Sequence, residues 1–355
     1  MTRRALYVGA FMPDETARHA GGQAAHQNRA ELLRQGFDVT SLICSTERLD
    51  SPPVAGETVF RQSPLALLLG WLRNLLRGST FGLLAWPLLD TRANAAFERR
   101  LRRELRQGGY ELVFVDFTQT GLPVERALRG IARRPQVRLC AHDIYVQKLL
   151  RKPGWLSRAF FAPVVRTERK VLRCADTVIT LSPKDSALVT GLYDCAVVEV
   201  KPFSAPRWVA RVRRDEATIA SHEVLFFANF DRPENVEALT WFVQDVLVPV
   251  ARRFPDFRLI VAGAGSDTVR IQADPRHIHR TGFVEDPSAI YSRCALAVAP
   301  LAQGAGVKFK VLEALAAGVV VLGTAIAFEG ITPTPLVIES SRDTFAARLV
   351  ELLAR

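Results

Sequence analysis

Cysteine is scarce in this chain. Its five copies, Cys44, Cys140, Cys174, Cys195 and Cys294, are scattered through 355 residues with no C-x-x-C pair. An odd, unpatterned set in or beside apolar runs excludes a disulfide framework and reads as reduced and cytosolic. The six histidines show no metal-ligand spacing, and no D-x-D triplet occurs. The sequence therefore predicts no metal and no cofactor. No apolar run is long enough to span a bilayer, and strand-like ALYVGA begins at Ala5 with no leader before it. A cytoplasmic protein is expected.

Net charge is missing from one half only. Residues 207–355 hold 17 Lys/Arg and 17 Asp/Glu, whereas residues 1–206 hold 30 and 19, so the whole excess of +11 lies in the first part. Plain solubility accounts for some of that. An anionic partner accounts for it equally well: a membrane surface, a lipid-phosphate acceptor or a nucleic acid. Of these the membrane surface and the lipid-linked acceptor are expected, and nucleic acid is not. With 48% hydrophobic residues, the chain is long enough for two domains with sizeable cores.

The most informative stretch is Ala295–Gly330, ALAVAPLAQGAGVKFKVLEALAAGVVVLGTAIAFEG. Ala295 to Ala299 is an apolar run closed by Pro300, which predicts a buried strand. Gly304 and Gly306 punctuate the loop after it, where backbone can approach a ligand closely. Val307 to Ala317 predicts a helix stopped by Gly318, and Val319 to Leu322 a second strand. Free N–H groups of the loop and helix N-terminus form an anion site, with Lys308 and Lys310 beside it and Glu313 one turn on. Two lysines in a first turn oppose the helix dipole, which favours an anionic ligand such as a diphosphate. The alternative is an i, i+3 surface ion pair between Lys310 and Glu313.

GAGVKFKVLEALAAG followed by TAIAFEG resembles the donor-site signature of family-four retaining glycosyltransferases of the GT-B fold, in the variant G-x-G-[VIT]-[KR]-x-K-[VI]-L-E-A. The resemblance extends back through FANFDRPENVEAL, RLIVAGAGS and TGFVEDPSAIYSRCALAVAPL, and more loosely into the first half. It implies an α/β protein of two Rossmann-like domains facing a cleft, with the acceptor on residues 1–206 and a nucleotide-sugar donor on 207–355. It implies catalytic roles for His142, Lys310 and Glu313. Donor contacts fall on Gly22, Asn229, Arg232, Gly263, Phe283, Val284, Gly304, Ala305, Gly306 and Lys308. Ala305 stands where the wider family pattern has a glutamate, which leaves the donor sugar open. The crossover C-terminal helix of relatives is expected to be short or absent.

In chain order, Ala5–Ala10 predicts a strand, residues 11–22 a loop ending in Gly21-Gly22, Gln23–Arg34 a helix and Asp38–Cys44 a strand, a βαβ opening. Residues 45–64 read as a connection. Pro64 to Gly78, PLALLLGWLRNLLRG, reads either as an interfacial helix on anionic lipid or as a half-buried helix. Residues 91–107 add an arginine-rich helix. Glu111–Asp116 and Val137–Ala141 predict strands, with His142 at the end of the second and Asp143 as the carboxylate beside it. Residues 144–174 read as helical, Asp176–Leu181 and Val197–Phe203 as strands, and 204–222 as a linker. The expected activity is retaining transfer of a sugar to a glycan or lipid-linked acceptor in cell-surface polysaccharide synthesis, peripheral on the membrane's inner face. Two rivals stay open: a nucleotide-sugar 2-epimerase and a degenerate binding member of the same fold.

Overall fold

The computed structural model describes residues 3–14, 20–46, 56–76, 89–151, 155–195, 197–201, 203–304 and 306–354. The chain divides into two compact units, Met1–Lys201 and Pro202–Arg355.

The first unit is built on β1 (Arg4–Gly9), β2 (Asp38–Ser45), β3 (Glu57–Arg61), β4 (Leu112–Asp116), β5 (Gln136–Ala141), β6 (Thr177–Thr180) and β7 (Val198–Val200). They pair in the order β3-β2-β1-β4-β5-β6-β7, all parallel. Parallel strands need crossovers, and helices then cover both faces of the sheet, so the central strands read as unbroken apolar runs. Every residue of β4 is buried. Leu6, Val8, Val113 and Val115 pack into one core with Phe97 and Leu101 of the helix Ala95–Gln107, while Ala5, Tyr7 and Phe114 pack into another with Ala25 and Leu32 of the helix Ala20–Arg34. Alternate residues of one strand thus feed opposite faces.

The second unit uses β8 (Ala220–Phe227), β9 (Arg258–Ala262), β10 (Ile278–Gly282), β11 (Cys294–Ala299), β12 (Val321–Gly323) and β13 (Val337–Glu339). Their order is β10-β9-β8-β11-β12-β13, again all parallel. Both units are therefore doubly wound, Rossmann-like sheets. Strand order reverses between β1 and β4 in one and between β8 and β11 in the other. Open α/β sheets bind ligands at such switch points, outside the carboxyl ends of the strands.

Several local readings change. The first helix starts at Ala20, so Gly21 and Gly22 lie in its first turn rather than ending a loop. The connection 45–64 contains β3, whose five residues ETVFR are too short and too polar for a periodic signal. A further helix, for which no sequence signal was noted, spans Thr118–Leu128 despite Pro123. The presumed linker supplies structure: Arg214 donates to the carbonyls of Tyr291 (2.6 Å) and Cys294 (2.9 Å) and so anchors that segment on the second unit. The apolar helix spans Pro64–Leu76; Arg77 and Gly78 lie outside the described residues. Among the described residues no helix is long and apolar enough to cross a membrane.

Candidate active site

In the second unit, the segments leaving the two central strands meet at the switch point. β8 runs into Ala228–Arg232 and the helix Pro233–Trp241; β11 runs into Pro300–Lys308 and the helix Phe309–Ala316. A short polar chain joins them. The Asn229 side-chain oxygen accepts from the Asp231 N–H (2.8 Å), and Asn235 Nδ2 donates to the Asn229 carbonyl (2.7 Å). Lys310 Nζ then donates to Asn235 Oδ1 (2.7 Å), 5.6 Å above the Phe226 ring. This holds the ammonium at the crevice instead of in solvent. Burial, with Lys308 adding like charge, pulls Lys310 down to about 7, against a weaker opposing pull from Glu234.

Lys308 occupies the position before the helix in an extended conformation and gives the helix no side-chain cap. Its ammonium donates to the Gly306 carbonyl (2.6 Å) and lies 4.0 Å from the Glu329 carboxylate. Gly304 (φ 138°) and Gly306 (φ 67°) take left-handed backbone that a side chain would strain. Ala305, between them, lies outside the described residues.

Glu313 is 8% exposed. Burial alone pushes its carboxyl up to about 7. It makes no hydrogen bond or ion pair with another described residue, and the surface pair with Lys310 considered from the sequence does not form. A carboxyl so placed without a protein partner costs stability, and a ligand that donates to it is one explanation.

The other donor-side residues divide by role. Gly263 (φ 116°) is required by close packing: a Cβ there would stand 2.1 Å from the Ala228 carbonyl oxygen. Phe283 is exposed and Val284 half-buried just beyond β10. Arg232 holds its guanidinium in solvent, 3.9 Å from Glu234.

In the first unit His142 follows β5, and Asp116 ends the neighbouring β4. Asp116 is fully buried. Its Oδ1 meets His142 Nε2 (2.8 Å) and accepts from Asn28 Nδ2 (2.9 Å); its Oδ2 accepts from the Tyr7 hydroxyl (2.5 Å). Lys201 donates in turn to Asn28 Oδ1. The His142 ring stacks at 3.7 Å on Phe117, a residue held at φ 69°. Burial opposes a charge on His142, but Cys140 and Asp116 outweigh it and raise its pKa above the ordinary imidazole value. The carboxylate paired with His142 is therefore Asp116, not the adjacent Asp143, which binds Lys148 (2.5 Å). Gly22, on the first turn of its helix, accepts from the Asp14 N–H (3.4 Å) through its carbonyl.

Asp116, Cys140 and His142 bring one potential ligand atom each within 4.8 Å of one another, a cluster that sequence spacing did not reveal. Within this cluster the Asp116 carboxylate already accepts from Tyr7 and Asn28 and pairs with His142. Asn235, Glu329, Asp116, Tyr7, Asn28 and Lys201 were not singled out from the sequence. Only Asp116 carried a signal, as a charged residue directly after the apolar run LVFV.

Comparison with known proteins agrees with this architecture. Residues 20–203 match the glycosyl transferase 4-like domain, and residues 221–355 match glycosyl transferases group 1. An uncharacterized 44.6 kDa protein in the cps region of Klebsiella pneumoniae is 28% identical over 148 residues, which is 38% of this chain and 38% of that protein. Among solved structures, sucrose-phosphate synthase from Thermosynechococcus elongatus superposes with a TM-score of 0.65 at 16% identity, covering 99% of this chain and 90% of that one. WaaG, a glycosyltransferase involved in lipopolysaccharide biosynthesis, gives 0.61 at 14% over 99% and 90%. HepE of Anabaena, in complex with UDP and glucose, gives 0.59 at 14% over 98% and 89%. Both halves are thus accounted for by the domain pair of one enzyme class, and the chain belongs to the family-four glycosyltransferases of the GT-B fold.

Proposed function

We propose that this glycosyltransferase moves a sugar from a nucleotide-sugar, with retention of configuration, to a glycan or lipid-linked acceptor in cell-surface polysaccharide synthesis, at the cytoplasmic side of the membrane. The observation that carries the donor half is the pair Lys310 and Glu313. One is a half-buried amine held on Asn235, the other a buried carboxyl with no hydrogen bond or ion pair among the described residues, and a helix N-terminus lies between glycine loop and sheet.

In this reading the diphosphate lies on the N–H groups of Gly304 and of residues 306–309, with Lys308 and Lys310. These preorganised donors stabilise the leaving diphosphate, so no metal is required. Glu313 accepts from ribose hydroxyls. The backbone at Gly282–Val284 meets the base, with Asn229, Arg232 and Gly263 along the same strand ends. His142, paired with Asp116, contacts the sugar or its acceptor, and Gly22 lets donor or acceptor approach the N-terminus of its helix. Residues 1–206 hold the acceptor and 207–355 the donor. The K. pneumoniae relative's place in a cps region, and the complexes of HepE with UDP and UDP-glucose, support the substrate class.

The test is a panel of UDP-, GDP- and ADP-sugars, scored by thermal stabilisation and then by product configuration in NMR. One nucleotide class should raise the melting temperature in the presence of chelator, and the product anomer should match the donor. Stabilisation by none, or only with Mg²⁺ or Mn²⁺, overturns the donor assignment. Donor turned into its own C2 epimer without acceptor makes the enzyme an epimerase.

A further inference from the structure

The helix Pro64–Leu76 turns its apolar side outward. Leu65, Leu68, Leu69, Leu72 and Leu76 are 45–87% exposed. At about 100° per residue they fall within an arc of roughly 100° on one side of the helix. Gly70 lies on the other side, buried, where a Cβ would stand 1.8 Å from the Ala93 carbonyl oxygen. The missing side chain lets the helix lie hard against Ala93, and this contact fixes which side faces out. The leucine stripe is therefore built into the packing. Isolated exposed leucines need no explanation, but five on one face mark an interaction surface.

The neighbouring helix Ala95–Gln107 indicates the partner. Its buried side carries Phe97, Leu101 and Leu105. Its outer side carries Arg99, Arg103 and Arg106, all exposed, within an arc of roughly 60°. None of the three is ion-paired among the described residues. The acidic groups of the two helices are already used. Glu98 is paired with Arg73 and Arg126, and Glu104 with Arg100 and the Tyr110 hydroxyl. The Arg73–Glu98 pair also ties the two helices together. Among the described residues, two helices tied to each other thus expose a stripe of leucines on one and a stripe of arginines without ion-pair partners on the other, in the half of the chain that holds all the net charge.

We infer that these two helices dock the enzyme on an anionic lipid bilayer, with the five leucines among the acyl chains and Arg99, Arg103 and Arg106 on the headgroups. The combination fits an interfacial helix, where apolar burial and attraction to anionic lipid add. A second copy of the chain fits less well, because a two-fold contact would bring like arginine stripes together. The surface is separate from the donor site, so its test needs no nucleotide.

The experiment is flotation of the full chain with vesicles of phosphatidylcholine alone or mixed with phosphatidylglycerol, at low and raised salt. The protein should float with the mixed vesicles only, and less so as salt rises. Each arginine contributes about a fivefold factor, so Arg99→Gln/Arg103→Gln/Arg106→Gln should cut binding roughly a hundredfold. Leu68→Glu/Leu72→Glu should abolish it with an unchanged melting temperature, since both leucines are exposed. Absence of flotation, equal flotation on both vesicles, or unaltered binding by either variant overturns the proposal. So does a dimer in sedimentation that Leu68→Glu/Leu72→Glu dissolves, which would name a second copy as the occupant.

Discussion

The two units share one topology, but the polar sets at their strand ends are built in opposite ways. In the first, the groups around Asp116 and Glu168 satisfy one another. Asp116 serves Tyr7, Asn28 and His142; Glu168 accepts from the N–H groups of Tyr145 (2.6 Å) and Val146 (3.0 Å) and from the Tyr193 hydroxyl. In the second, Lys310 has one neutral partner and Glu313 has none, and burial drives both toward their uncharged forms. A closed network is explained by folding alone, because each member offsets the desolvation of the next. An open one costs stability that folding does not return. On the proposed reading the nucleotide completes the set at Lys310 and Glu313, whereas His142 reaches its substrate with its carboxylate partner already in place.

Breaking the closed network should have the largest effect. Asp116→Ala leaves an imidazole, a phenol and an amide without their shared acceptor. Removing one member of a buried ion pair typically costs 3–5 kcal/mol, so the first unit should unfold at markedly lower denaturant. Asp116→Asn keeps the shape and should recover part of the loss. A change within experimental error for Asp116→Ala would mean that the network is not closed in solution, and the contrast between the units would fail.

Lys310→Ala probes the open set. If its charge matters most as the diphosphate leaves, turnover falls more than donor binding. Loss of one preorganised donor costs roughly 3–4 kcal/mol of barrier. Steady-state kinetics separates the terms, and near-parental kcat would place the diphosphate elsewhere.

How far the sequence foretold this difference follows from the interactions involved. The glycine loop, Lys308, Lys310 and Glu313 lie within ten residues of one another, so their spacing on one strand–loop–helix unit was readable. The apolar runs of β1, β4, β8, β9 and β11 were readable because burial on both sheet faces removes polar alternation. The partnership of Asp116 with His142 was not. It joins residues 26 apart through strand pairing, and the neighbouring Asp143 offered a plausible false partner. Asn235 was hidden in the same way, since only the switch-point geometry carries it 75 residues along the chain to Lys310. The short β3 and the Pro-containing helix Thr118–Leu128 were missed because tertiary packing overrides a weak local signal.

Glu313→Gln sharpens the comparison most finely, because it should improve the fold while impairing the site. The carboxyl is raised from 4.5 to about 7 by burial alone. Below pH 4.5 it is neutral folded and unfolded, and contributes fully. As pH rises from 4.5 to about 7 the unfolded chain ionises first, so the folded state loses stability, by about 3 kcal/mol once pH exceeds 7. Glutamine never ionises, so the variant should match the parent near pH 4 and be the more stable above pH 7. Ribose does not change during the reaction, so the lost charge-assisted hydrogen bond should weaken nucleotide binding by about 1–3 kcal/mol with little effect on kcat. Denaturant unfolding of unliganded parent and variant across pH 4 to pH 8, beside calorimetric titration with the nucleotide that stabilises the parent, reads both effects. If the variant binds nucleotide as tightly as the parent and gains no stability at high pH, Glu313 has a partner in the protein, and the second unit's open network does not exist.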